Sequence, residues 1–103
     1  MESLANDIQR EAQRGLMLRV LVDWRLEWMP FNELRIQMIR RSGGDITDHR
    51  LQFHLNYLKQ NGYAESKQLR AGSTAIELAI VRGTPKAVDL IEGRLAPDAG
   101  IGL

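Results

Sequence analysis

Apolar residues change their spacing several times along the chain, and each change marks an element. From Leu4 to Met29 there is no proline and one glycine, Gly15. After it, Met17, Val20, Leu21, Trp24 and Trp28 recur at helical spacing and form one apolar stripe. Leu18, Val22, Leu26 and Met29 form a second stripe, turned from the first by about 100° or more. The pattern predicts an N-terminal helix over residues 1–29, with a bend or fresh start at Gly15. A helix apolar on two faces needs two partners. One is its own core, with both tryptophans on that side. The other is a second copy, so Leu18, Val22, Leu26 and Met29 are the candidate dimer interface.

Pro30 closes this helix, because the residue before a proline is pushed out of the α region. Phe31, Leu34, Ile36, Met38 and Ile39 predict a second helix to Arg41, stopped by Ser42-Gly43-Gly44. Asp45 or Thr47 is placed to cap a third helix to Gln60, with Leu51, Leu55 and Leu58 inward and His54 beside them. Helix, short glycine turn and helix is the spacing of a helix-turn-helix. The period then falls to two. Tyr63 to Leu69 predicts a strand, 70–73 a turn, and Thr74 to Val81 a strand on which Ile76, Leu78 and Ile80 alternate with Ala75, Glu77 and Ala79. Thr84 as cap and Pro85 at the first position open a last helix, which buries Ala87, Val88, Leu90 and Ile91 and stops at Gly93. The reading is one mainly α domain over residues 1–95 with a small β-hairpin, followed by a flexible tail, 96–103, with Pro97, Gly100 and Gly102.

The order helix, helix, helix, hairpin, helix resembles the winged helix-turn-helix family of DNA-binding domains. The run Thr47-Asp48-His49-Arg50-Leu51-Gln52-Phe53-His54-Leu55 and on to Gly62-Tyr63 is similar to the third helix of MarR-, PadR- and ArsR-type bacterial regulators. Gly83-Thr84-Pro85-Lys86-Ala87 resembles the T-P-x-G start of their post-wing helix, departing at Ala87 where glycine is common. The resemblance spans Pro30 to Gly93. It implies that the third helix reads the major groove of double-stranded DNA and that the protein is a homodimer joined through its terminal helices. It implies no effector, since ArsR-type metal sites use cysteines.

Composition narrows this further. The 103 residues include no cysteine, which excludes disulfides and cysteine–zinc sites. The first residues carry acidic and polar groups where a secretion signal needs positive charge and then an apolar run. The apolar stretch Leu16 to Val22 is broken by Arg19 and is too short for a membrane span. The expectation is a cytoplasmic protein. Net charge is only +1, a small excess for a DNA-binding domain, so the argument turns on how charge is distributed.

With the leucines of the third helix inward, His49, Gln52, Phe53, Asn56 and Gln60 point outward, with Arg50 and Tyr57 on a flank. Arg50, Gln52 and Asn56 have the donors and acceptors that base edges require. Thr47 sits at the helix start, and Asp48 beside it favours capping but repels phosphate. Arg35, Arg40 and Arg41 lie on or just past the second helix, where Arg40 and Arg41 are candidate phosphate contacts. Lys67, Gln68 and Arg70 are the wing candidates, with Lys67 and Arg70 the cations that reach DNA. His49 and His54 are five apart, not the i, i+4 pair of a helical metal site, and His54 reads as a hydrogen-bonded structural residue. No metal, cofactor or catalytic constellation stands out. The expectation is a small homodimeric transcriptional regulator, of bacterial or phage or other mobile-element origin, and not an enzyme. The alternative is a winged-helix protein–protein interaction module without DNA binding, which suits the near-neutral charge, Asp48 and Glu65 near the expected DNA face, and an exposed Phe53.

Overall fold

The computed structural model describes residues 4–70 and 77–103, with side chains over 7–69 and 79–103. Among the described residues, four helices and three short strands follow in the order α1 (Leu4–Asp23), β1 (Met29–Pro30), α2 (Phe31–Ser42), α3 (Asp48–Gln60), β2 (Ala64–Arg70), β3 (Glu77–Gly83) and α4 (Pro85–Ile91). The strands form one antiparallel sheet in the order β1-β3-β2. β2 and β3 are in register from Ala64 opposite Gly83 to Arg70 opposite Glu77, making the expected hairpin. Of the strand predicted over Thr74–Val81, residues 74–76 lie outside the described residues, as do 71–73 of the turn.

The ends of the middle helices follow their local chemistry. Gly43 closes α2 in the left-handed region at φ 73°, its N–H donating to the Ile39 carbonyl at 2.9 Å. Thr47, not Asp45, caps α3: its Oγ1 accepts from the Arg50 N–H at 3.2 Å. Asp45 instead accepts from the Ile46 N–H at 2.9 Å and from Arg35 at 3.2 Å. Thr84 occupies the cap position of α4, but its hydroxyl donates to the Gly62 carbonyl at 2.6 Å, tying the start of α4 to the end of α3.

α1 departs from expectation. It ends at Asp23, six residues before Met29, in a turn where Arg25 and Leu26 take φ of 62° and 60°. The cause is tertiary. Met29 and Pro30 pair with Val81 and Ile80 as a third strand, and the chain must reverse to deliver them. Pro30, which lacks an N–H, is tolerated at the edge of the sheet. The predicted second stripe therefore does not exist as a helix face. Leu18 and Met29 are fully buried in the protomer's own core, so neither offers surface to a second copy. Val22 packs against the same core, and Leu26 folds over Gly83, whose added Cβ would lie 3.1 Å from the Leu26 Cδ2.

Met17, Leu18 and Leu21 of α1 meet Leu34 and Met38 of α2, Leu51, Leu55 and Leu58 of α3, and Val81 of β3 in one core. Each such side chain contributes about 1.5–3 kcal/mol through its removal from water. Trp24 packs at the edge of this core, half-buried.

The tail is also unlike its prediction. It folds back as a strap across α1 and α3. Ile101 enters the core, and the Gly102 N–H donates to the Glu11 carbonyl at 2.8 Å. Asp98 accepts from the Tyr57 hydroxyl at 2.7 Å, the Tyr63 hydroxyl at 3.1 Å and the Gly100 N–H at 2.8 Å. Glycines on both sides serve close approach here: a Cβ on Gly15 of α1 would fall inside the Gly102 carbonyl, and one on Gly100 of the strap inside the Tyr57 hydroxyl.

Candidate nucleic-acid interface

α3 presents one buried and one open face. Leu51, His54, Leu55 and Leu58 point inward, while His49, Arg50, Gln52, Phe53, Asn56, Lys59 and Gln60 are exposed. Thr47 is exposed at its cap. The Gln52 amide donates to the Asn56 Oδ1 at 2.9 Å, one helical turn on, which holds two potential base-reading groups side by side. Tyr57 is turned away, into the strap.

Asp48, the acidic residue at the head of this face, is engaged from behind. Arg35 of α2 lies 3.6 Å from the Asp48 carboxylate and 3.2 Å from that of Asp45, and its Nε donates to the Ile46 carbonyl at 3.0 Å. One guanidinium thus fixes the turn between α2 and α3 and offsets both acids. Arg41 is also committed, to Asp23 at 2.7 Å. Arg40 is exposed at the end of the same helix.

On the hairpin, the Lys67 ammonium sits 4.4 Å from the centroid of the Trp28 ring and the Arg82 guanidinium 4.4 Å from the same ring. Arg82 also pairs with Glu65 at 2.8 Å across the strands. Lys67 therefore lies along the base of the wing rather than reaching freely from it. Trp28 is half-buried in this cluster and not in the core. Arg70 ends β2, and its side chain lies outside the described residues.

The seam between α1 and α3 holds polar groups that lie outside the apolar stripes. Arg14 is buried, with its guanidinium 3.8 Å from the Tyr57 ring centroid and 5.5 Å from that of Phe53. Burial, then the charge of Arg10, lowers its pKa, against the favourable fields of Tyr57, Asp98 and Glu11. His54 is also buried, bonded through Nε2 to the Gln13 Oε1 at 2.7 Å, while its Nδ1 has no hydrogen-bond partner among the described residues. Burial, reinforced by Arg14, Arg50 and Arg10, pushes the His54 pKa down to about 4, so the ring is neutral at ordinary pH. A sequence signal for this seam existed. Gln9 and Gln13, and Arg10 and Arg14, stand at i, i+4 and so share one side of α1.

In the strap, burial pushes the Asp98 carboxyl up, but hydrogen bonds from Tyr57, Gly100 and Tyr63 outweigh it and hold it below the usual carboxylate range. Among the described residues no group of three His, Cys, Asp or Glu is arranged to hold a metal ion, and no helix is long and apolar enough to cross a membrane.

No protein-family model matches the chain, and no curated protein matches its sequence. Solved structures do match its shape. A transcriptional regulator from Clostridium thermocellum, Cth-833, superposes with a TM-score of 0.65 at 17% identity, over 91% of this chain and 84% of that one. The reduced form of the transcriptional regulator YodB from B. subtilis gives 0.58 at 21% identity, over 91% and 85%. The circadian clock associated protein Pex from anabaena gives 0.56 at 15%, over 79% and 75%. At such identities the likeness concerns the fold, and the fold is a winged helix-turn-helix.

Proposed function

We propose that this winged helix-turn-helix chain is a transcriptional regulator that binds double-stranded DNA, with α3 in the major groove. Arg50, Gln52 and Asn56 would read base edges, His49 and Thr47 would line the groove wall, and Arg40 and the wing would meet phosphates. The observation that carries this reading is the composition of α3's open face. Apart from the Phe53 ring, it is lined by hydrogen-bonding side chains, and its one acid, Asp48, is held by Arg35. The solved structures of similar shape that are described as transcriptional regulators add support. The role is one of binding, without catalysis, in the cytoplasm. Two-fold recognition by a homodimer would need an interface other than the expected stripe, and Ile8, Leu95 and Leu103 are exposed apolar side chains available for one.

The test is selection from a random duplex pool at low and at physiological salt, with the recovered sequences read out. An enriched motif is expected, and a palindrome of two half-sites would establish the dimer. Arg50→Ala should weaken binding to that motif by roughly 5- to 150-fold, the equivalent of about 1–3 kcal/mol, with the fold intact by circular dichroism. Absence of binding even at low salt would overturn the reading in favour of a protein-interaction module, for which the half-exposed ring of Phe53 is the anchor.

A further inference from the structure

Between α1 and the first half of α3 lies an open cavity of about 290 Å³. Gln9 and Gln13 of α1 line one side, His49 and Arg50 the other, with the buried His54 at the floor, the half-exposed Phe53 at the rim and Arg10 alongside. This volume is near the lower end of the roughly 300–1,000 Å³ typical of small-molecule sites, too large for a lone ion and sufficient for a compact organic molecule. Its chemistry selects the kind of molecule. Among the described residues no carboxylate lines it. Three guanidinium groups, those of Arg14, Arg50 and Arg10, bear on His54, so the local potential is positive. Arg50, the ring N–H of His49 and the two glutamine amides supply donors suited to an oxyanion. Phe53 remains 50% exposed at the rim, an apolar surface that a bare anion would leave wet. At the floor, the buried Nδ1 of His54 is unsatisfied, and its other nitrogen is bound to Gln13 of the cavity wall.

We propose that this cavity binds a small organic anion, with its charged head on Arg50 and His49 and its apolar body on Phe53, and that its occupancy excludes DNA. The exclusion follows because the same two side chains lie on the open face of α3, and this clause rests on the DNA-binding reading given above. Ligand and DNA then compete for one arginine without any change of shape.

Calorimetry on the intact protein with phenyl phosphate tests the site directly, with inorganic phosphate as head alone and benzyl alcohol as body alone. One molecule of phenyl phosphate should bind per chain, at least tenfold more tightly than either fragment, and should shift the NMR resonances of Phe53 and His54. Gln9→Trp, on the exposed α1 wall, should fill the cavity and reduce this affinity tenfold or more while leaving DNA affinity and melting temperature unchanged. At ten times its dissociation constant, phenyl phosphate should weaken DNA binding about tenfold in the parent and not in Gln9→Trp. No binding of phenyl phosphate, or binding that Gln9→Trp leaves intact, overturns the site. Equal binding of inorganic phosphate without a shift at Phe53 also overturns it, and assigns the cavity to a simple ion or a DNA backbone phosphate. If the chain binds no DNA at all, the calorimetry still decides the site and only the exclusion clause falls.

Discussion

His54 is buried beside three arginines and carries one hydrogen bond where it has capacity for two, so protonating it inside the fold is costly. Its pKa is about 4 in the folded chain against 6.5 when unfolded. Between these values the unfolded chain holds a proton that the folded chain refuses, so stability is full above pH 7 and drains away as pH falls through 6.5 toward 4. The loss from this one group is on the order of 2–3 kcal/mol. His54→Gln keeps a partner for Gln13 but does not titrate. Urea denaturation at stepped pH should therefore show the parent losing stability relative to His54→Gln across that window, and parallel profiles would refute the assignment. Residues of this kind were only half legible in the sequence. His54 as a structural histidine, Thr47 as a cap and Phe53 as exposed all follow from positions within one helix. Arg35 on Asp48, and Arg14 on Tyr57, join residues far apart in the chain, and no local rule pairs them.

The same division runs through the elements. α2, α3, α4 and the β2–β3 hairpin were readable because each carries its own period and its own stop signal, and the open face of α3 came with them. α1 was misread beyond Asp23 because residues 24–28 remain compatible with a helix. What ends it is the pairing of Met29 and Pro30 with β3, a contact across some fifty residues. The expected dimer stripe failed with it, since two of its members were needed inside. The reversal also strains the backbone. Arg25 and Leu26 both lie in the left-handed region, where a side chain costs roughly 1–2 kcal/mol per residue. Arg25 is exposed, so Arg25→Gly should relieve strain without loss of packing and raise stability by up to about 1 kcal/mol, after the extra freedom of glycine in the unfolded chain is subtracted. Leu26→Gly relieves the same strain but removes the cover from Gly83, and should be neutral or destabilising. Thermal melts of the two variants give the comparison, and a loss of stability in Arg25→Gly would show that strain does not govern this turn.

Across the whole molecule, the strap joins α1 to α3 and to Tyr63 at the start of the hairpin. Its small residues permit this, although in the sequence proline and glycine suggested only looseness. Gly15→Ala makes the point measurable. By helix propensity alone the change should stabilise α1 by about 1 kcal/mol. In the intact protein its Cβ collides with Gly102, so the melting temperature should fall and amide exchange at Ile101 and Gly102 should quicken. In a chain cut after Asp98 the same change should instead stabilise, and a gain of stability in both chains would refute the contact. The strap also orders events in time. Its bond from Arg14 to the Gly100 carbonyl spans 86 positions, and its partners on α1, α3 and at the head of β2 are all made earlier on the ribosome. A nascent chain can assemble the three-helix core and the hairpin while the groove over Gly15 and Tyr57 stays open. That groove closes only after residues 98–102 clear the exit tunnel, which makes it the surface where a co-translational chaperone would find this chain unfinished.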